Sequence, residues 1–258
     1  MSNNKHTDIL VIGSGPGGYA AAFRAADLGR EVTLVDKDPT LGGVCLNRGC
    51  IPSKTLLHIS KVLEEAESLK KMGVTFTKPT IDIDLVRDWK NKVVSQLSGG
   101  IGQMAKARKV NTIQAEATFL SNNEVQLKSE SSTEKITFDH CIIASGSSST
   151  IIPGIPFNNE NVLTSKTALD LKKIPKSLLV IGGGYIGLEM GTVFSALGSS
   201  VSLAEFLPNL LPGADPDLVK PLARKLKKEF SEILLSCLLY TSDAADEGLG
   251  VDLGGRRI

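Results

Sequence analysis

The sequence predicts an α/β chain of two successive parallel-sheet domains, and three observations predict it. A glycine-rich turn at residues 11–18 recurs at residues 180–187. An acid closes the strand that follows each turn, at Asp36 and at Glu205. Between the copies, residues 147–156 (Ser-Ser-Ser-Thr-Ile-Ile-Pro-Gly-Ile-Pro) have a linker's composition.

The first copy runs Val-Ile-Gly-Ser-Gly-Pro-Gly-Gly from Val11 and closes at Val-Thr-Leu-Val-Asp36. The second runs Val-Ile-Gly-Gly-Gly-Tyr-Ile-Gly from Val180 and closes at Val-Ser-Leu-Ala-Glu205. A single offset superimposes Gly13 on Gly182, Gly15 on Gly184, Gly18 on Gly187, Leu28-Gly29 on Leu197-Gly198 and Asp36 on Glu205. Each copy reads strand, glycine turn, helix, strand, acid. That is the Rossmann-type dinucleotide-binding pattern: one glycine makes the turn, one lets a pyrophosphate approach the backbone, and one lets the helix pack on the strand. The helix N-terminus then offers free N–H groups to the pyrophosphate, and the acid accepts from a ribose 2′-OH. One such motif is weak; two in register with their acids are a strong signal. Phe206-Leu-Pro-Asn209 carries no basic residue beside Glu205, which favours a ribose without a 2′-phosphate and hence NAD over NADP.

Residues 42–54, Gly-Gly-Val-Cys-Leu-Asn-Arg-Gly-Cys-Ile-Pro-Ser-Lys, hold two cysteines, Cys45 and Cys50, in a glycine-rich turn that opens a helix. On a regular helix residues five apart point about 140° away from each other. A disulfide needs Cα atoms within about 7 Å, so the backbone must be irregular if the two are bonded. Gly43 and Gly49 supply that freedom, and Pro52 suits the first turn of the following helix. A helix N-terminus also stabilises a thiolate. A reactive pair in a small ring suits reversible redox chemistry better than a structural bridge.

Farther on, residues 60–71 and 84–109 read as amphipathic helices, the second interrupted by Gly99-Gly100. Residues 110–117 read as a strand, 124–128 and 135–138 as a hairpin-like pair, and 140–146 as a buried strand ending in a small-residue turn. The domains expected are 1–150, then 151–236, with 237–258 set apart.

The chain has 258 residues, 41% hydrophobic, with Lys+Arg 29 against Asp+Glu 28. That balance gives no electrostatic case for nucleic acid or an anionic membrane. The polar N-terminus lacks a signal-peptide pattern, no stretch is long enough to span a membrane, and four cysteines are too few for a secreted disulfide scaffold. A cytoplasmic protein with no metal site is expected.

On these residues the chain resembles the dihydrolipoyl (lipoamide) dehydrogenases, a family of the flavoprotein disulfide reductases (class I pyridine nucleotide-disulfide oxidoreductases). The resemblance covers residues 7 to about 235 and rests on the cysteine segment, both glycine turns and Ile143-Ala-Ser-Gly146. Leu46 and Ile51-Pro-Ser-Lys54 look more like the lipoamide branch than the glutathione or mercuric branches. At Ser145 the family more often has threonine, a change that keeps the hydroxyl.

The resemblance implies an FAD domain followed by an NAD domain. FAD would meet Gly13, Gly15, Gly18, Asp36, Lys37, Gly42, Gly43, Val44, Cys45, Lys54, Ala117, Ser145 and Gly146. NAD would meet Gly182, Gly183, Gly184, Tyr185, Ile186, Gly187 and Glu205. It implies a Cys45–Cys50 redox disulfide, with Cys45 the interchange thiol attacked by dihydrolipoamide and Cys50 the thiolate against the flavin. Lys54 would stabilise the reduced ring, paired with Glu189, and NAD would accept the hydride. Tyr185 would cover the nicotinamide pocket, with a packed core aromatic as the other reading. Implied partners are lipoyl domains of 2-oxo acid dehydrogenase complexes and a second copy in a homodimer.

Other residues carry less. Cys141 reads as a buried, inert thiol, His58 as a helix residue, His6 as part of the tail, Trp89 as packed between helices, and residues 225–228 as a solvated face. The family's second FAD-binding stretch, its interface domain and the His-Glu pair that supplies the base have no counterpart here, so the 258-residue chain is expected to turn over little. The family pattern stops near Ser236. Residues 237–258 resemble a conceptual translation of a transposase-type sequencing adapter; sequencing the gene through codon 236 tests this, and a native gene encoding those residues overturns it. Other disulfide reductases, of mercuric or glutathione type, and a non-catalytic nucleotide-binding fragment are the alternatives.

Overall fold

The computed structural model describes residues 5–237, so the expectation for the tail falls, beyond Cys237, outside the described residues. The chain divides into two compact units: Met1–Pro52 with Lys90–Ser148, and Ser53–Trp89 with Ser149–Ile258. Residues 53–89 thus group with the second unit, where a division at residue 150 would put them in the first.

The first unit begins with β1 (Lys5–Ile12), α1 (Pro16–Asp27), β2 (Val32–Asp36) and α2 (Gly43–Arg48). The chain then passes through α3 (Cys50–Ser68), a 3-10 turn and α4 (Ile83–Ala107), and returns as β3 (Asn111–Gln114), β4 (Glu116–Ser121), β5 (Glu124–Lys128) and β6 (Thr133–Ile143). The sheet order is β3-β2-β1-β6-β5-β4. β1 pairs in parallel with β2 on one side and with β6 on the other. Strand order therefore reverses beside β1, and in open α/β sheets a ligand crevice forms outside the carboxyl ends at such a switch point. Leu10 and Val11 are fully buried, as a strand covered on both faces requires. One apolar cluster joins Val11, Ala22, Phe23, Val32, Leu34 and Val110; another joins Leu10, Val35, Val125, Leu127, Ile136 and Phe138.

Three expectations shift. The strand at 110–117 is two strands, parting at Ala115, whose N–H donates to the carbonyl of Asp36 at 2.8 Å. There the chain changes from a parallel partner of β2 to an antiparallel partner of β5. Residues 135–138 and 140–143 are one strand, β6, its first half held by β5 and its length by β1. Its end is not buried: Ile142 and Ile143 are exposed. Helix α4 runs through Gly99-Gly100 without a break. Its start is fixed by Asp82, whose Oδ1 accepts from the N–H groups of Asp84 and Leu85.

The second unit adds α5 (Ser165–Ala168), β7 (Ser177–Ile181), α6 (Tyr185–Ala196), β8 (Ser200–Ala204), α7 (Pro216–Glu229) and β9 (Glu232–Leu234), with a parallel sheet β7-β8-β9. Its core joins Val180, Leu188, Val193, Phe194, Val201, Leu203, Leu226 and Phe230 with Leu56 of α3. Asp215 caps α7 by accepting from Asp217 N–H at 2.9 Å, and Pro216 takes the first helical position. Among the described residues no helix is long and apolar enough to cross a membrane.

Candidate functional site

The two glycine turns are copies in conformation as well as in letters. Gly13 and Gly182 hold φ of 100° and 101°, a region that L side chains avoid. Gly15 and Gly184 cap the following helices with extended backbone, and neither α1 nor α6 has a side-chain cap. Gly18 and Gly187 lie against the carbonyls of Gly13 and Gly182, where any Cβ would collide. By contrast, a Cβ on Gly184 would meet nothing within 4 Å. Open backbone, uncapped helix N-termini and an acid at the next strand end are the donor set a dinucleotide needs, so the residues fit both implied groups.

Each acid is tied to its own turn. Asp36 Oδ2 accepts from Ser14 N–H and Ser14 Oγ, both at 2.6 Å, and Oδ1 from Asp38 N–H at 2.9 Å. Burial alone would raise the Asp36 carboxyl, but these hydrogen bonds and the Arg48 guanidinium outweigh it and hold the group below its ordinary range. Glu205, only 7% exposed, accepts from Gly183 N–H at 2.5 Å and Leu207 N–H at 2.7 Å.

The cysteine segment packs on the first turn. Gly42 N–H donates to the carbonyl of Ser14 at 2.9 Å, and Gly43 presses on the backbone of Gly15. Cys45 sits half-buried in α2 and Cys50, exposed, opens α3. Between them Gly49 adopts φ −146°, ψ −109°, which breaks the helix and brings the two cysteines near one another. The irregular backbone expected of this segment lies there and at Gly42, whose φ is 114°. Ala144 N–H donates to Ile12 at 2.7 Å, so the turn after β6 brings Ser145 and Gly146 to the end of β1. Val44 and Lys37 are exposed at the rim, and Ala117 follows Ala115 along β4.

In the second unit Lys54 Nζ donates to Glu189 Oε1 at 2.9 Å. Glu189 lies on α6, whose first residue is Tyr185. Tyr185 is 68% exposed, which removes the reading of it as a core aromatic; Ile186 is exposed beside it.

Trp89, expected to pack between helices, is 54% exposed, while Lys90 beside it is buried. His58 is exposed. Burial pushes the Cys141 thiol up, which keeps it a poor nucleophile. His6 belongs to β1 rather than to a tail, with Nδ1 3.0 Å from Thr137 Oγ1 and Nε2 3.5 Å from Asp139 Oδ1. Ser14 and Arg48 join the site without having been expected there. Ser14 occupies a variable position of the glycine pattern, so only its contact reveals it. Arg48 had a signal, as a cation between the two cysteines.

The model of the pyridine nucleotide-disulphide oxidoreductase family matches residues 7–246. The chain belongs to the pyridine nucleotide-disulphide oxidoreductase family. Within it, the dihydrolipoyl dehydrogenase of Vibrio parahaemolyticus is 44% identical over 257 residues, covering 100% of this chain and 54% of that protein. The Bacillus subtilis dihydrolipoyl dehydrogenase is 46% identical over 223 residues, covering 86% and 47%. Among solved structures, the Cu(II) complex of the HOCl-induced flavoprotein disulfide reductase RclA from Escherichia coli superposes with a TM-score of 0.76. It is 29% identical, over 91% of this chain and 50% of that one. The chain spans about half the length of the family members it matches.

Proposed function

We propose that this chain is the electron-transfer half of a dihydrolipoyl dehydrogenase. It would bind FAD at Gly13–Gly18 and Asp36, and NAD at Gly182–Gly187 and Glu205, and would oxidise dihydrolipoamide at Cys45 and Cys50. The observation that carries this is the seating of the cysteine segment directly on the first dinucleotide turn, through Gly42 N–H and the backbone of Gly43. A thiol pair fixed on a dinucleotide site is arranged for electron transfer to what that site binds.

FAD held at Gly13–Gly18 and Asp36 would supply two-electron redox chemistry, with NAD held at Gly182–Gly187 and Glu205 as the hydride acceptor. Within the chain, the substrate thiolate attacks Cys45 Sγ, the Cys45–Cys50 bond breaks, and Cys50 keeps the electron pair as thiolate. Cys50 opens α3, so that charge would lie at the positive end of the helix dipole. Lys54, one turn along the same helix, supplies a cation whose position Glu189 fixes. The buried, doubly bonded Glu205 favours a ribose hydroxyl over a 2′-phosphate, which would place two anions together. By resemblance the proton acceptor for substrate comes from the part of the relatives that this chain does not span, as does the homodimer interface. Lipoyl domains of 2-oxo acid dehydrogenase complexes in the cytoplasm are the proposed partners.

The test joins this chain to the remaining half of the Vibrio parahaemolyticus protein and measures NADH formation from dihydrolipoamide. Turnover is expected, lost about a thousandfold in Cys45→Ser and Cys50→Ser and about a hundredfold in Lys54→Gln. The 258-residue chain alone should show the flavin absorbance band with little turnover. A chimera that uses NADPH with glutathione disulfide or a mercuric salt, and not NAD with dihydrolipoamide, refutes the proposal.

A further inference from the structure

The short helix that carries Cys45 is tied down at both ends. A helix of six residues is not stable alone, so its position depends on those ties. Its N-terminal end is held to the first glycine turn by Gly42 N–H on Ser14. At its other end Asn47 Nδ2 donates to the carbonyls of Thr40 and Leu41 at 3.3 and 3.2 Å. Arg48, the last residue, forms an ion pair with Asp38, their side chains 29% and 23% exposed. Asp38 N–H in turn donates to Asp36 Oδ1, and Asp36 Oδ2 holds both Ser14 N–H and Ser14 Oγ. The contacts close a ring: Ser14, Asp36, Asp38, Arg48, α2, Gly42 and Ser14 again.

We infer that Arg48 is a positioning residue, whose ion pair with Asp38 straps the Cys45 helix to the loop after Asp36 and so couples the placement of the Cys45 thiol to the dinucleotide site. The inference rests on the proposed role of Cys45 but adds a residue that touches neither substrate nor flavin. Arg48 is the one member of the ring whose charged side chain spans from α2 to that loop; the other ties run through backbone atoms or through Asn47. Because the strap ends on the loop that holds Asp36, loosening the thiol helix should also weaken flavin retention. A pair about a quarter exposed is worth a modest factor, so the expected effect is about three- to fivefold in each readout.

The experiment uses the 258-residue chain in the Arg48→Gln, Arg48→Lys and Asp38→Asn forms, and in the charge-swapped form Arg48→Asp with Asp38→Arg. Lys220→Gln, which breaks an exposed ion pair with Asp217 on α7, is the control. The first readout is the rate of Cys45 alkylation by iodoacetamide in flavin-free protein, mapped by mass spectrometry. The second is FAD affinity by flavin fluorescence. Arg48→Gln and Asp38→Asn should speed alkylation and weaken FAD by about three- to fivefold, and Arg48→Lys and the swap should recover most of both. A purely structural contribution would lower the melting temperature of Arg48→Gln and Asp38→Asn while leaving the alkylation rate of the folded protein and its FAD affinity unchanged. Unchanged alkylation in Arg48→Gln, or effects equalled by Lys220→Gln, overturns the strap. If no form binds FAD, the wild-type sequence included, the proposed function falls, while the alkylation rates still decide the role of Arg48.

Discussion

Asp36 and Glu205 stand at the same position of a repeat and are held by different atoms. Asp36 takes a side-chain hydroxyl, Ser14 Oγ, besides two amides; Glu205 takes two amides, and Gly183 stands where Ser14 does. A Cβ at Gly183 would lie 2.7 Å from the tip of the Leu210 side chain, so a serine in the second turn would require Leu210 to shift. The consequence is electrostatic. Because the Asp36 carboxyl is held below its ordinary value of 3.8, its ionised form favours the fold above that pH. That contribution is lost as pH falls through the lower folded value. Asp36→Asn should therefore cost about 1–2 kcal/mol at pH 7 and progressively less below pH 4, read from urea unfolding followed by circular dichroism. A cost that stays constant down to acid would mean that charge is not the cause. The glycines and the acids were legible in the sequence because the chemistry of a pyrophosphate and a ribose fixes their spacing. Ser14 was not, and Arg48 showed only as a cation between the two cysteines, since their contacts depend on which loop folds over which, and spacing does not encode that.

At the scale of elements, the same residue type acts in opposite ways. Gly18 is where α1 crosses the strand–turn backbone, and a methyl there would strike the Gly13 carbonyl. Gly99 and Gly100 sit inside α4 with open space around them and ordinary φ. The sequence showed only an interruption of the helical pattern at 99–100, and tertiary support from both ends of α4 overrides it. Gly99→Ala and Gly100→Ala should each stabilise the chain by about 0.5–1 kcal/mol, seen as additive gains in melting temperature. Gly18→Ala should instead cost several kcal/mol, on the order of a severe core defect, and abolish flavin retention. Loss of stability in the α4 variants would show that the helix bends there in a way that needs glycine. The exposed end of β6 follows a related rule. Its apolar letters promised burial, but Ile142 and Ile143 are 37% and 65% exposed, and letters alone do not say which neighbour covers a strand.

Over the whole molecule, one helix, α4, contributes to apolar clusters of both units. Leu56 and Leu57 of α3 and Ile83 and Val86 of α4 belong to the cluster of the second unit, while Ile101 and Ala105 of α4 belong to a cluster of the first. Helix α4 therefore changes allegiance along its length while α3 gives Leu56 and Leu57 to the second unit, which is why residues 53–89 group with that unit although they lie between segments of the first. Sequence composition found the linker at 147–156 but had no signal for this exchange, because amphipathic periodicity shows a buried face and not which core receives it. Separate apolar clusters predict separate unfolding transitions. In calorimetry, FAD at a hundred times its dissociation constant should stabilise the transition of the first unit by about 2.7 kcal/mol and leave the second unmoved. NAD at the same ratio should do the converse. A single transition shifted by either ligand would mean that α3 and α4 couple the cores tightly enough for the two units to unfold as one.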